Sequence, residues 1–127
     1  MKRIVLLAVV AAGLVLPGVA RAGCMATVGL SSMPKPGLEP GQPWIVTIRV
    51  LQHGRTPMPD AKPAVRIRNA AGKLLVFKAK PTARVGSYRA RVVFPAAGRY
   101  RLSVYDGFPY AECARVHTFK PVVIAAV

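Results

Sequence analysis

Trp44-Ile45-Val46-Thr47-Ile48-Arg49-Val50-Leu51-Gln52 is the stretch whose reading decides the fold. Side chains alternate sides along a strand, so Trp44, Val46, Ile48 and Val50 share one face, and Ile45, Thr47, Arg49 and Leu51 share the other. The first face is wholly apolar, as expected of a strand half-buried against a core.

Working outward, the same alternation returns. Ala64 to Asn69 points Val65 and Ile67 inward and Arg66 and Arg68 outward, and Asn69-Ala70-Ala71-Gly72 reads as a hairpin turn into Leu74 to Ala79. Ser87 to Phe94 sets Tyr88, Ala90, Val92 and Phe94 against Arg89 and Arg91. After Pro95-Ala96-Ala97-Gly98, the run Arg99 to Tyr105 puts Tyr100, Leu102 and Val104 inside. Ala26 to Leu30 is a weaker first strand. Arg115 to Ile124 is the last, with Pro121 predicting an edge position or a bulge. Eleven prolines after residue 22 leave no room for a long helix. Seven short strands at this spacing predict an all-β fold, an immunoglobulin-like antiparallel β-sandwich, with outward arginines that also discourage edge pairing.

The beginning of the chain has a different character. Met1, Lys2 and Arg3 precede an apolar run from Ile4 to Leu16, followed by Pro17, Gly18 and Ala20-Arg21-Ala22. This is the pattern of a cleavable signal peptide, with the apolar run too short for the roughly 20 residues that cross a bilayer. The expected organisation is a signal peptide over residues 1–22 and one sandwich domain over 23–127, secreted or held extracytoplasmically without a transmembrane segment.

Of the 19 Lys and Arg residues, Lys2, Arg3 and Arg21 fall within 1–22. Sixteen remain against Glu39, Asp60, Asp106 and Glu112, a formal charge of +12. A field of that size attracts anionic polymers and surfaces without conferring specificity. An anionic envelope component or an unidentified protein is therefore the expected partner, with no specific nucleic-acid recognition and a monomeric state. Cys24 and Cys113 are the only cysteines, and in an exported protein they are expected to form a disulfide. If each linker reverses the chain, Cys24, Cys113 and the loops after Gln52, Ala79 and Tyr105 all gather at one end of the sandwich.

Gly54-Arg55-Thr56-Pro57-Met58, followed by Ala61 and Val65, resembles the glycine–proline–hydrophobic passage of YtkA-like domains, which are bacterial extracytoplasmic immunoglobulin-like modules. Gly86-Ser87-Tyr88-Arg89-Ala90 leading to Phe94 through Tyr100 looks like their paired-strand region. The resemblance covers about half of the chain after residue 22 and implies a fold more than an activity. Related copper carriers bind metal, but Gly23-Cys24-Met25 holds no histidine where those proteins have one.

For chemistry the chain offers little. Four scattered acids and two histidines supply neither a nucleophile with its base nor paired carboxylates, so no enzyme is expected. The preferred reading is a non-enzymatic binding or structural module of the cell envelope, without a cofactor. Its expected interaction surface is His53 with Phe108, Pro109 and Tyr110, an apolar tip on a loop that a disulfide would hold. The alternative is an extracytoplasmic copper-binding accessory protein using His53, Met58 and His117, an imidazole and thioether ligand set. Trp44 reads as a core residue, Asp106 as a turn residue bonding its own backbone, and Tyr88 as a hydroxyl tying a crossing between sheets.

Overall fold

The structure, a computed structural model, describes residues 25–127. The signal-peptide reading and Cys24 lie outside the described residues.

Among the described residues ten strands are present, in chain order β1 (Ala26–Leu30), β2 (Pro43–Gln52), β3 (Thr56–Pro57), β4 (Ala64–Arg68), β5 (Leu74–Lys78), β6 (Lys80–Pro81), β7 (Ser87–Val93), β8 (Gly98–Tyr105), β9 (Val116–Thr118) and β10 (Val122–Ile124). They form two antiparallel five-stranded sheets. The first has the order β1-β2-β7-β6 with β3 also on β2, and the second β10-β8-β4-β5 with β9 also on β8. Apart from a single 3₁₀ turn at Ala111–Cys113, the regular structure of the described residues is all β. The order is that of an immunoglobulin-like sandwich, with β1, β2, β7 and β6 standing where strands A, B, E and D stand. β4, β8 and β10 take the places of C, F and G, and β5 is added beside β4.

Each anticipated inward face is buried. Val46, Ile48 and Val50 of β2 meet Val65 and Ile67 of β4, Val92 of β7 and Leu102 and Val104 of β8 in one core, and all eight are sealed from solvent. Trp44 closes one end of that layer and donates its indole N–H to the Ser32 hydroxyl at 3.0 Å. This satisfies the one polar atom that burying a tryptophan brings with it. Phe94 and Tyr100 meet edge to face, with ring centres 5.0 Å apart, across the turn that joins β7 to β8. At 20–33 cal/mol per Å² of apolar surface removed from water, this shared layer is the main favourable term in the fold.

The turn after β4 forms as its residues require. Gly72 takes φ +86° and donates to the Asn69 carbonyl at 3.0 Å, while the Asn69 side chain accepts from the Lys73 N–H at 2.8 Å. The expected last strand is split in two. Tyr105 faces Val116 and Ser103 faces Thr118, yet Tyr100 faces Val122, so the register slips by one residue between β9 and β10. The slip spans Lys120 and Pro121, where proline has no N–H to offer the ladder, and the result is a bulge.

The crossing from the first sheet to the second, residues 58–63, is fixed from both sides. Tyr88 on β7 donates its hydroxyl to the Met58 carbonyl at 2.6 Å and accepts the Ala61 N–H at 3.0 Å. Lys62 N–H donates to the Gly107 carbonyl at 2.9 Å. The anticipated role of Tyr88 is therefore present. Val50 N–H donates to the Gly86 carbonyl at 2.8 Å, bringing the β6–β7 connection to the same end as the loop after Gln52.

Candidate functional site

The loop end was the expected interaction surface, and its parts occupy distinct settings. His53 is exposed at the tip of the β2–β3 hairpin at φ +53°, with its N–H on the Met25 carbonyl at 2.6 Å. Pro109 and Tyr110 are also exposed, Tyr110 at 58 %. Phe108 is not. Only 3 % of it reaches solvent, and its ring lies 5.8 Å from that of Tyr110, on the core side. The presented apolar tip is thus corrected to Pro109 and Tyr110.

The cause of that burial is Asp106. This carboxylate is fully buried and accepts from the Phe108 N–H at 3.0 Å, the Arg115 N–H at 3.1 Å and His117 Nε2 at 2.8 Å. His117 Nε2 faces the carboxylate at hydrogen-bond distance, in position to donate to it. Gly107, at φ +60°, lies so close to Lys62 that a Cβ there would run into the Lys62 carbonyl. Together these draw the segment after β8 down onto the core. Reading Asp106 as a turn residue anticipates the Phe108 bond. The partnership with His117 is missed, because it arises only when β9 pairs with β8 and sets His117 opposite Val104, two positions before Asp106.

The three residues of the copper-binding alternative occupy different settings. Met58 is a core residue, 8 % exposed, whose N–H and carbonyl are tied to Val50 and Tyr88. His117 has one ring nitrogen on Asp106, and His53 stands at a hairpin tip of the other sheet. Among the described residues, no three His, Cys, Asp or Glu side chains cluster as a metal would require. Cys113 is buried at the end of the 3₁₀ turn; its pairing with Cys24 falls outside the described residues.

A surface that the sequence reading treated only as solvated arginines stands out instead. The register places Tyr105, Ala64 and Lys78 in one row across β8, β4 and β5, then Ser103, Arg66 and Val76, then Arg101, Arg68 and Leu74. Because Val65, Ile67, Leu102 and Val104 point inward, these rows lie on the outer face of the second sheet. Arg99, two positions before Arg101 on β8, lies on the same side.

Arg68 and Arg101 are direct cross-strand partners, both exposed. They sit between two shallow depressions of about 380 and 410 Å³ whose walls both include these two residues. Arg68 donates to the Gly72 carbonyl at 2.8 Å. The only close contact of a basic side chain with a carboxylate among the described residues is that of His117 with Asp106, so Arg66, Arg68, Arg99 and Arg101 meet no carboxylate there. The sequence signal was the alternation itself, but which arginines become neighbours depends on strand pairing.

Comparison with protein-family models, curated proteins and solved structures returned no match. Among the described residues, no helix is long and apolar enough to cross a membrane.

Proposed function

We propose that this chain is a non-enzymatic, extracytoplasmic binding module that holds an anionic envelope polymer against the arginine face of its second sheet. The observation that carries the reading is the Arg68–Arg101 pair. Like charges directly opposite across strands destabilise a sheet, and an acid or a threonine at either position would relieve the repulsion. A polyanion laid over the face would relieve it as well. The four basic residues clustered there, Arg66, Arg68, Arg99 and Arg101, are all arginines, whose planar fork bonds phosphate and carboxylate oxygens two at a time, as lysine cannot.

The reading of the first 22 residues as a signal peptide supports an exported location, and the YtkA-like resemblance agrees with an extracytoplasmic module. A Cys24–Cys113 bridge would anchor the segment leading to β1 against the 3₁₀ turn. The pair of buried Asp106 and half-buried His117 serves the loop that it braces, which favours binding over catalysis as the role of the domain.

The test is titration of the protein with inorganic polyphosphate, and separately with polyglutamate, over a range of salt. A polyelectrolyte contact weakens linearly in log affinity against log salt, with a slope set by the number of charges neutralised. Arg68→Gln with Arg101→Gln should reduce that slope by about one per arginine. Arg89→Gln with Arg91→Gln, on the outer face of the first sheet, should change it far less. Equal losses from the two pairs would mean that net charge alone attracts the polymer, and would remove the proposed site.

A further inference from the structure

The same outer face changes character toward the loop end. Next to the braced crossing lies an open groove of about 570 Å³, within the range of ligand pockets in proteins. Its origin is a size mismatch in one row: Ala64, on the central strand, is flanked by Tyr105 on one side and Lys78 on the other. A methyl between two long side chains leaves a trough. Val76, 51 % exposed, continues it along β5, and Pro63 and Ala79 complete the apolar wall.

The groove is built before any ligand arrives. One wall is the crossing 58–63, tied by the Tyr88 hydroxyl to Met58 and Ala61 and by Lys62 N–H to Gly107. The other is continuous with the β4–β5 ladder, which Ala79 N–H extends by donating to the Pro63 carbonyl at 2.9 Å. Rigid walls spare a ligand the ordering penalty that weakens binding to loose segments. Lys62 and Lys78, both exposed, line the groove, with Asp60 as its single acid. The charge there is thus net positive beside an apolar floor.

We infer that this groove binds a single-chain anionic amphiphile, its alkyl chain along Ala64 and Val76 and its acidic head on Lys62 and Lys78. The complementarity is double: apolar area for the chain, and ammonium donors for the head. The groove shares no lining residue with the depressions beside Arg68 and Arg101, and its occupancy does not depend on polymer binding there.

The test uses hexanoate, octanoate and decanoate below their aggregation concentrations, with 1-octanol as the neutral control, followed by amide chemical shifts of the isotope-labelled protein. Saturable one-to-one binding is expected, with shifts centred on Ala64, Val76 and Lys78. Affinity should rise between twofold and fourfold for each methylene that the trough covers, the upper figure being the full transfer value of a CH₂ group.

Val76→Asp, at a half-exposed position that tolerates a polar side chain, should weaken octanoate at least tenfold. Lys78→Gln should narrow the preference for octanoate over octanol, whereas Arg101→Gln, equal in charge change but remote in the sheet, should leave that preference intact. Shifts that do not saturate, affinity independent of chain length, or equal effects of Lys78→Gln and Arg101→Gln would each overturn the assignment.

Discussion

The Tyr88 hydroxyl reaches from one sheet to the Met58 carbonyl, 2.6 Å away, on the segment that leads to the other. With the Ala61 N–H also bonded to that oxygen, a single side chain satisfies two backbone groups of a buried crossing. Tyr88→Phe keeps the ring and removes both bonds. Leaving buried backbone groups unpaired costs about 1–3 kcal/mol each, so a loss of about 2–4 kcal/mol is expected in urea unfolding, with little change in the denaturant slope.

The same residue sets an alkaline limit on stability. Burial raises the Tyr88 phenol above its ordinary value of 10.0; the bond to the Ala61 backbone opposes the rise, and the negative Asp60 adds to it. In the folded chain the proton is held to higher pH than in the unfolded chain. The contribution of Tyr88 is therefore complete below about pH 10 and is lost as pH climbs through the folded value. Melting temperatures measured from pH 8 to 11.5 should fall more steeply above pH 10 for the parent chain than for Tyr88→Phe, and parallel curves would contradict this.

Gly107 has no tolerated replacement. A Cβ added at φ +60° meets the Lys62 carbonyl, which is backbone and belongs to a residue whose N–H is bonded to the Gly107 carbonyl. Gly107→Ala should cost more than about 3 kcal/mol, through strain and the displacement of the crossing. Thermal unfolding reads it directly; Gly72→Ala, with open space around its Cβ, should lose much less.

Asp106→Ala should release the loop it organises. Three donors lose their acceptor at once: the Phe108 and Arg115 N–H groups and His117 Nε2. Amide exchange is the sensitive measurement, with faster exchange expected over residues 106–118 and unchanged protection in β2 and β7. His117→Ala, which removes one partner and leaves the other two, should show a smaller effect confined to β9.

Arg101→Glu should separate stability from binding. It replaces a like-charge cross-strand pair with an opposite one, so the melting temperature should rise slightly, by an amount equivalent to a few tenths of a kcal/mol, ~0.5 at most. Polyphosphate affinity should drop at the same time. A variant that is less stable than the parent would show that the Arg68–Arg101 contact is not the repulsive one that the register implies.

How much of this was legible in advance differs by level. The inward faces of Trp44–Val50, Val65–Ile67, Tyr88–Phe94 and Tyr100–Val104 follow from a two-residue period, and all of them are buried. The Asn69–Gly72 turn and the break at Pro121 follow from local backbone chemistry. The tip at Phe108 did not. An aromatic residue in a loop has no period to read, and its burial depends on Asp106 and Gly107 finding partners at Arg115, His117 and Lys62, far along the chain.

Local alternation and turn residues thus determined by themselves that the chain is β, where its longer strands run and which side of each is apolar, because these depend on neighbours within a few positions; the two-residue strands β3 and β6 are too short to show a period. Tertiary structure alone decided that Arg68 stands opposite Arg101, that Ala64 lies in a trough between Tyr105 and Lys78, and that Phe108 turns inward. Those are matters of register between distant segments. A strand's own sequence specifies the face a side chain occupies, whereas only the pairing of strands specifies what stands beside it.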